Sequence, residues 1–125
     1  METSPDTGAV RSKLYAKEHG DAFPPRYDLI HPDFLRRLAE TMGEGQAKGY
    51  PPHNWMRGFE DTVYFQHAMN HLELWRMGDK TEDHLAHAAF NIMGLMFIQD
   101  HMPELVTLQK AFHVQGRALP TNENK

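Results

Sequence analysis

The strongest constraint on the fold is a pair of long helical patterns separated by a very short turn. Apolar residues recur with a helical period from Phe59 to Met77, and again from Thr81 to about His101. Because only Gly78–Lys80 separates the two runs, the sequence predicts two helices packed as an antiparallel hairpin. Thr81 is the predicted cap of the second helix, with acidic residues in its first turn.

A further helix is predicted upstream of this hairpin. Asp33, after Pro32, is its predicted cap, and Gly43 and Gly45 are predicted to end it. Its apolar positions fit a 3.6-residue period and are Phe34, Leu35, Leu38, Ala39 and Met42. A long loop rich in glycine and proline covers residues 42–58, and Pro103 begins a short final helix. The sequence therefore predicts an all-α small helical bundle of three to four main helices.

One folded domain is expected, because 125 residues is close to the usual size of a single domain. Residues 1–22 are polar and punctuated by glycine and proline, which predicts a flexible N-terminal arm. Residues 114–125 are predicted to form a flexible polar tail. The helical domain is accordingly predicted to span residues 23–113.

Composition excludes several classes of protein. The formal net charge is −4, with 13 basic and 17 acidic residues, so a nucleic-acid partner is not expected. The absence of cysteine excludes disulfides, thiolate zinc sites and cysteine nucleophiles, and agrees with a reducing compartment. The longest mostly apolar run, Ala89–Ile98, has about half the length that a bilayer span needs, and no secretory signal is visible. We expect a soluble cytoplasmic protein with no membrane partner.

The segment TEDHLAHAAFN, residues 81–91, concentrates polar groups on one side of its predicted helix. With about 100° per residue, His84, His87 and Asn91 fall within a stripe about 60° wide. Three apolar residues define a predicted core direction about 90° from His84: Leu85, Ile92 and Met96. The polar stripe is therefore predicted to flank the buried face.

The preceding helix carries a matching pair of histidines. His67 and His71 are four residues apart and point towards the predicted core side, whereas Asn70 and Glu73 lie beyond its edge. In an antiparallel hairpin, both histidine stripes can face one cleft. A single partly buried histidine is usually a hydrogen-bonded core residue, but four on two facing helices favour a metal or acid–base site. The spacing alone leaves both interpretations open.

Several common catalytic motifs are absent from the sequence. It contains no His-Glu-x-x-His, no His-Asp pair, no P-loop and no G-x-G-x-x-G. Its serines, Ser4 and Ser12, both lie in the predicted arm, so serine catalysis has little support. If the chain handles nucleotides, a metal and other side chains must act on the phosphates.

A series of motifs along residues 24–98 resembles a known family. The series consists of RYDLI from Arg26, Lys48 and Tyr50 in a Gly-rich stretch, NW..G from Asn54, His71 in its helix, Gly78-Asp79, and EDHLAHAAFN from Glu82. It resembles a phage-encoded family of dATP/dGTP diphosphohydrolase-like proteins, related to the MazG-type all-α nucleoside triphosphate pyrophosphohydrolases. The resemblance implies a MazG-like homo-oligomer that uses Mg²⁺ or Mn²⁺ to cleave a nucleoside triphosphate to monophosphate and pyrophosphate.

The resemblance also indicates where metal ligands would lie. MazG-type relatives carry E-x-x-E on one helix and E-x-x-D on another, and here the sequences NHLE from Asn70 and HLAH from His84 occupy those places. Imidazole suits Mn²⁺, Fe²⁺, Co²⁺, Ni²⁺ or Zn²⁺ better than Mg²⁺. Either the metal has changed, or the histidines meet the phosphates directly, or activity has been lost. The candidate ligands are His71, Glu73, Asp83, His84 and His87, with Glu82 as an alternative acid.

The leading hypothesis is metal-dependent hydrolysis of (deoxy)nucleoside triphosphates in phage nucleotide metabolism, in the host cytoplasm. The metal would polarise the α-phosphate and activate the attacking water, with Glu73 and Asp83 as catalytic residues. The predicted substrate-binding residues are Arg26, Lys48, Asn54, Trp55, His67 and Asn91, with Tyr50 as a further stacking candidate. For Arg26 and Lys48, solvated surface is an equal alternative.

Two other hypotheses stay open. In the first, the chain is a non-catalytic helical phage accessory protein that binds a nucleotide or a host partner through the same cleft. In the second, it is a zinc- or iron-dependent hydrolase of other phosphate esters. Pyrophosphate release and bound metal distinguish the three.

Overall fold

The computed structural model describes residues 23–114 and 117–118. The predicted arm, residues 1–22, lies outside the described residues, as do residues 115–116 and 119–125 of the predicted tail. By its internal contacts the chain divides into two units, residues 1–31 and residues 32–125. The described part of the first unit contains a 3₁₀ turn at Tyr27–Leu29. The predicted domain boundaries stay a prediction.

Three α-helices make up most of the second unit. Helix α1 spans Pro32–Ala47, α2 spans Asp61–Arg76 and α3 spans His84–His101. Helices α2 and α3 form the most extensive helix pair, and α1 packs against α3. The predicted all-α class is confirmed. None of the helices in the described ranges is long and apolar enough to cross a membrane.

Short elements connect and follow these helices. The loop after α1 covers residues 48–60, which is shorter than predicted, and contains a 3₁₀ turn at Asn54–Arg57. Two more 3₁₀ turns follow α3, at Pro103–Leu105 and Leu108–Phe112, so the final helix predicted from Pro103 is a single turn. The two-residue strands β1 (His113–Val114) and β2 (Arg117–Ala118) pair antiparallel, with His113 opposite Ala118.

Helix α1 extends past the two glycines that were predicted to end it. Gly43 and Gly45 lie inside the helix, which ends at Ala47. Gly49 then adopts a φ of +96°, and the N–H of Tyr50 donates to the carbonyl of Gly45 (3.1 Å). This is a Schellman ending, in which glycine takes the left-handed position. The predicted end is wrong because a glycine inside a helix costs only about 1 kcal/mol, which packing against α3 can offset.

The turn between α2 and α3 begins at Gly78, where the sequence predicted the break between the two helices. The φ of Gly78 is +85°, and the N–H of Asp79 donates back to the carbonyl of Leu74 (3.0 Å), which ends α2 in a second Schellman motif. The hydroxyl of Thr81 donates to Oδ1 of Asp79 (2.5 Å). Thr81 is therefore engaged by the turn, and the prediction that it caps α3 is wrong.

The cap of α3 is Asp83, immediately before the first helical residue, His84. Its Oδ1 accepts a hydrogen bond from the backbone N–H of Ala86 (3.2 Å). An acidic cap also places negative charge beside the positive end of the helix dipole. Because the helix begins at His84, both His84 and His87 lie in its first turn.

Small residues let α2 and α3 approach closely. Four small residues on these helices are buried: Ala68 on α2, and Ala86, Ala88 and Gly94 on α3. The ring of Tyr64 lies against Gly94, where an added methyl group would meet three ring carbons within 2.8 Å. The Tyr64 hydroxyl donates to the carbonyl of Trp55 (3.2 Å), which ties the 3₁₀ turn to α2.

The buried face of α3 differs from the predicted one. Leu85, Ile92 and Met96 are 37%, 46% and 60% exposed, whereas His84 and Asn91 are only 3% and 6% exposed. The predicted core direction is wrong because α3 is apolar on nearly every side, so periodicity does not identify its inward face. The polar stripe lies inside the fold instead of flanking it.

A buried carboxylate joins the start of α2 to the chain after α3. Asp61 is 2% exposed, and its Oδ2 accepts from the N–H groups of Thr107 and Leu108 (2.8 Å each). Its Oδ1 accepts from the Thr107 hydroxyl (3.2 Å). Burial favours a higher pKa for Asp61, but these hydrogen bonds outweigh it and hold the pKa below the usual range. Asp61 is thus an ionised and fully bonded anchor.

Candidate metal centre and adjoining cavity

Three of the four histidines that form the two predicted stripes lie together. The ring centroid of His71, on α2, is 5.2 Å from that of His84 and 4.9 Å from that of His87, both on α3. The side chain of His84 is fully buried, and those of the other two are largely buried. The fourth histidine, His67, lies one turn earlier on α2 and is exposed.

A carboxylate completes a group of possible metal donors. Oε1 of Glu82 lies 3.2 Å from Nδ1 of His87 and 3.5 Å from Nδ1 of His71. One donor atom from each of these residues lies within 4.8 Å of the other two. We call His71, Glu82 and His87 the donor triad. Two imidazoles and a carboxylate form a donor set that fits a divalent transition metal.

Two further carboxylates contact the far side of the histidines. Oδ1 of Asp79 lies 2.7 Å from Nε2 of His84, and Oε2 of Glu44 lies 3.1 Å from Nε2 of His87. The rings of His84 and His71 approach each other through their Nδ1 atoms, which are 3.0 Å apart. Because Glu44 belongs to α1, all three helices contribute to the cluster.

Two side chains of the cluster, His71 and Asp79, have shifted pKa values. Burial lowers the pKa of His71, and the neighbouring His87 lowers it further. The hydrogen bond with His84 holds the pKa of Asp79 well below its usual range, and Thr81 adds to this effect. Neutral imidazoles and ionised carboxylates are the forms that bind metal ions.

Two acids that the sequence suggested as ligands and catalytic residues bind arginines. Both oxygens of Asp83 accept from Arg37 (2.8 and 2.6 Å), which lowers the pKa of Asp83 to about 2. Both oxygens of Glu73, which is exposed, accept from Arg76 (2.5 and 3.1 Å), and this pairing lowers the pKa of Glu73. Neither acid belongs to the donor triad.

An open cavity of about 740 Å³ adjoins the donor triad. His71 and His87 line it, together with Glu44, so the two histidines of the triad are accessible from its interior. The second half of α1, the loop that follows and the facing sides of α2 and α3 form the wall. Its aromatic lining residues are Tyr50, Trp55, Phe59 and Phe90. The volume is in the range of small-molecule pockets, about 300–1,000 Å³.

Five of the six predicted substrate-binding residues line this cavity: Lys48, Asn54, Trp55, His67 and Asn91. Asn91 is buried, and its Nδ2 donates to the carbonyl of His87 (2.8 Å). Arg26, the sixth, belongs to the unit of residues 1–31, where it forms a two-bond ion pair with Asp28 (2.9 and 2.8 Å). The cavity therefore collects predicted residues from the loop and from both helices of the hairpin.

Trp55 is held in the cavity wall by edge-to-face packing. Its ring centroid lies 5.0 Å from that of Phe97 on α3. Within the described part of the chain, its buried Nε1 hydrogen has no acceptor. A buried donor without a partner costs about 1–3 kcal/mol, so a ligand acceptor at this position would be favourable.

Three acids of the cluster were not assigned these positions from the sequence. Glu82 was considered only as an alternative to Asp83. Glu44 is remote from His87 along the chain, and only the packing of α1 brings them together. Asp79 had a local signal, because it lies in the turn directly before a histidine-bearing helix, and an acid at such a position can reach the first turn.

The sequence matches a model of a known protein family. A family model described as dATP/dGTP diphosphohydrolase, N-terminal, matches residues 15–106, well over half of the chain. The matched range contains all three helices, the donor triad and the cavity lining. A search of curated proteins and a search of solved structures gave no match.

Proposed function

The chain belongs to the dATP/dGTP diphosphohydrolase N-terminal family, and from that premise we propose that it hydrolyses (deoxy)nucleoside triphosphates to monophosphate and pyrophosphate. The observation that carries the proposal is a donor triad at the edge of a cavity large enough for a nucleotide. The reaction would require a divalent metal. Its setting would be phage nucleotide metabolism in the host cytoplasm, as the resemblance noted from the sequence implies.

The ligands in this proposal are His71, Glu82 and His87. When bound, a divalent cation supplies Lewis-acid polarisation of a phosphoryl oxygen and activation of water. The mixed nitrogen and oxygen donors suit Mn²⁺, Fe²⁺, Co²⁺, Ni²⁺ or Zn²⁺, whereas Mg²⁺ prefers oxygen donors alone. Because Asp83 and Glu73 are held by arginines, Glu82 takes the role of the metal-binding acid.

The cavity wall supplies groups that a nucleotide needs. Tyr50 and Trp55 offer aromatic surface on which a base can stack. Lys48 provides positive charge for a phosphate, and the amides of Asn54 and Asn91 provide hydrogen bonds. All five residues line the cavity that adjoins the donor triad.

The proposal is tested by measuring pyrophosphate release. Purified protein is incubated with each deoxynucleoside triphosphate and with Mg²⁺, Mn²⁺, Co²⁺ or Zn²⁺. We expect release with at least one metal, and its loss in Glu82→Gln and His87→Ala. Glu73→Gln is the matched control, because Glu73 is an exposed acid outside the triad. The absence of release with every metal would refute the enzymatic proposal.

We further propose that the protein is a homo-oligomer. Large apolar side chains remain exposed on the two hairpin helices at intervals of three, four and seven residues: Phe65, Met69, Leu72, Leu85, Ile92 and Met96. Such intervals are typical of helices that pack against other helices. Light scattering should give a mass above 14.4 kDa, reduced in Ile92→Glu. A wild-type monomer at micromolar concentration would contradict the proposal.

One observation favours a second candidate function, that of a non-catalytic accessory protein that binds a nucleotide or a host partner. Each clustered histidine already has a polar partner: His71 with His84, His84 with Asp79, and His87 with Glu44. Buried hydrogen-bond networks of this kind can be purely structural. Nucleotide binding in calorimetry, without bound metal and without pyrophosphate release, would support this candidate.

A further inference from the structure

The turn between α2 and α3 carries a carboxylate that determines how a buried histidine is used. Oδ1 of Asp79 lies 2.7 Å from Nε2 of His84, whose side chain is 2% exposed. A carboxylate oxygen accepts, so Nε2 of His84 carries the hydrogen. In a neutral imidazole the other nitrogen, Nδ1, is then an acceptor. Asp79 thereby selects one tautomer of His84.

This tautomer has a consequence for His71, a member of the donor triad. Nδ1 of His84 lies 3.0 Å from Nδ1 of His71, close enough for a hydrogen bond. Because Nδ1 of His84 is the acceptor, Nδ1 of His71 must carry the hydrogen in the metal-free protein. A neutral His71 then keeps its lone pair on Nε2, which is the nitrogen left to bind a metal. The ring of His71 is therefore oriented by a side chain that is itself fully buried and held by Asp79.

We propose that Asp79 is a positioning residue for the metal centre, acting through His84 to hold His71 in the orientation that the donor triad requires. The inference rests on the proposed function, because it needs a metal at the triad. Asp79 itself lies outside the triad. A residue that hydrogen-bonds a metal-binding histidine sets its tautomer and ring orientation, and its removal typically costs about 10- to 100-fold in metal affinity. Here His84 is that residue for His71, and Asp79 fixes the tautomer of His84.

A purely structural role for Asp79 would have a different signature. The same Oδ1 accepts from the backbone N–H and the hydroxyl of Thr81 (3.0 and 2.5 Å), which shapes the turn. Thr81→Val removes the hydroxyl contact but keeps the contact with His84. This variant therefore separates the turn from the metal centre and serves as the matched control.

The experiment uses two measurements that need no turnover, on wild-type protein and on Asp79→Ala, Asp79→Asn and Thr81→Val. Competition with a chromophoric chelator gives the affinity for Zn²⁺. Imidazole ¹⁵N chemical shifts of the metal-free protein show which nitrogen of His84 carries the hydrogen, and thermal melts verify that each variant folds.

We expect the His84 hydrogen on Nε2 in the wild-type protein. Zinc affinity should fall by about 10- to 100-fold in Asp79→Ala. It should recover in part in Asp79→Asn, whose amide oxygen can still accept. Thr81→Val should bind zinc as the wild type does.

Three results would overturn the inference and leave the proposed function standing. They are unchanged zinc affinity in Asp79→Ala, a hydrogen on Nδ1 of wild-type His84, and equal losses of affinity in Thr81→Val and Asp79→Ala. Failure of the proposed function looks different, because the wild-type protein itself would then release no pyrophosphate with any metal. If the wild-type protein also bound no Zn²⁺, there would be no metal centre for Asp79 to position. That outcome would remove both proposals.

Discussion

Two buried polar centres in the second unit are built in opposite ways. Asp61 accepts from two backbone N–H groups and one hydroxyl, so its charge is satisfied by groups that do not titrate. The histidine cluster is bonded through other titratable side chains, with Nδ1 of His71 and Nδ1 of His84 facing each other. The carboxylate of Asp61 therefore has all its hydrogen-bond donors within the fold. In the histidine cluster, by contrast, two ring nitrogens face each other and need a hydrogen or a cation between them. Burial alone thus does not identify a functional site, and the chemistry of the partners does.

Glu82→Ala, in the histidine cluster, is expected to have the largest effect on metal affinity and little effect on stability. It removes one of three donors, so metal affinity should fall by more than about 100-fold, the upper end of the range for residues behind ligands. Because the Glu82 side chain is 46% exposed, the free energy of unfolding should change by less than about 0.5 kcal/mol. Chelator competition and urea denaturation measure the two quantities. If Glu82→Ala instead caused a large loss of stability and left metal affinity unchanged, Glu82 would have a structural role like that of Asp61 and would not be a metal ligand.

Asp61→Ala should show the opposite pattern. It leaves the N–H groups of Thr107 and Leu108 without their acceptor, which should cost about 2–3 kcal/mol of unfolding free energy. Metal affinity should stay at the wild-type value. Asp61→Asn is the control, since its amide oxygen can accept both N–H groups, and it should cost less. If Asp61→Ala weakened metal binding as much as Glu82→Ala, the two centres would not be independent.

Acidity should affect the Asp61 centre in a defined direction. The pKa of Asp61 in the folded protein lies below its ordinary value of 3.8, so folding favours the ionised form. This stabilisation is present above the ordinary pKa and is lost as the pH falls through the folded-state pKa. Urea denaturation should therefore show the gap between wild type and Asp61→Asn closing as the pH falls through and below 3.8. A gap that stays constant over this range would contradict the assignment.

The smallest effect is expected at the pair of Arg37 and Asp83, which belongs to neither centre. Their side chains are 43% and 31% exposed, so solvent screens the pair. Arg37→Gln should cost about 0.2–1 kcal/mol, and less in high salt. Asp83→Ala should cost more, about 1 kcal/mol from lost capping alone. A double-mutant cycle measures the coupling, and a value well above 1 kcal/mol would place this pair with the buried centres.

The helical hairpin could be predicted because its signals are local. Gly78 marks the end of α2, and its left-handed conformation is one that glycine adopts readily. The inward face of α3 could not be predicted, because Leu85 and Ile92 are as apolar as any core residue. The buried side of α3 is the side on which small residues such as Gly94 let α2 approach. It therefore depends on how the two helices pack together and cannot be read from α3 alone. The end of α1 at Ala47 depends likewise on packing beyond its own sequence.

The candidate site was predictable to a similar extent. Helical spacing brought His84 and His87 onto one stripe, and the hairpin placed His71 opposite them. Their acidic partners could not be inferred from spacing. Glu44 reaches His87 only because α1 packs on α3. Asp83 binds Arg37, which also lies on α1, and no local pattern in the sequence indicates that pairing.

Gly94 carries no functional group, yet it sets the separation between two ligand-bearing helices. The absence of a side chain at Gly94 lets the ring of Tyr64 lie directly against α3. His71 lies seven residues after Tyr64 on α2, and His87 lies seven residues before Gly94 on α3, so each histidine is two turns from this contact and on the same face of its helix. The distance between the two imidazoles therefore depends on the absence of a side chain at Gly94, two turns away in the interface. We expect a methyl group at that point to alter the affinity of the proposed site for a metal, while every candidate ligand in the sequence stays unchanged.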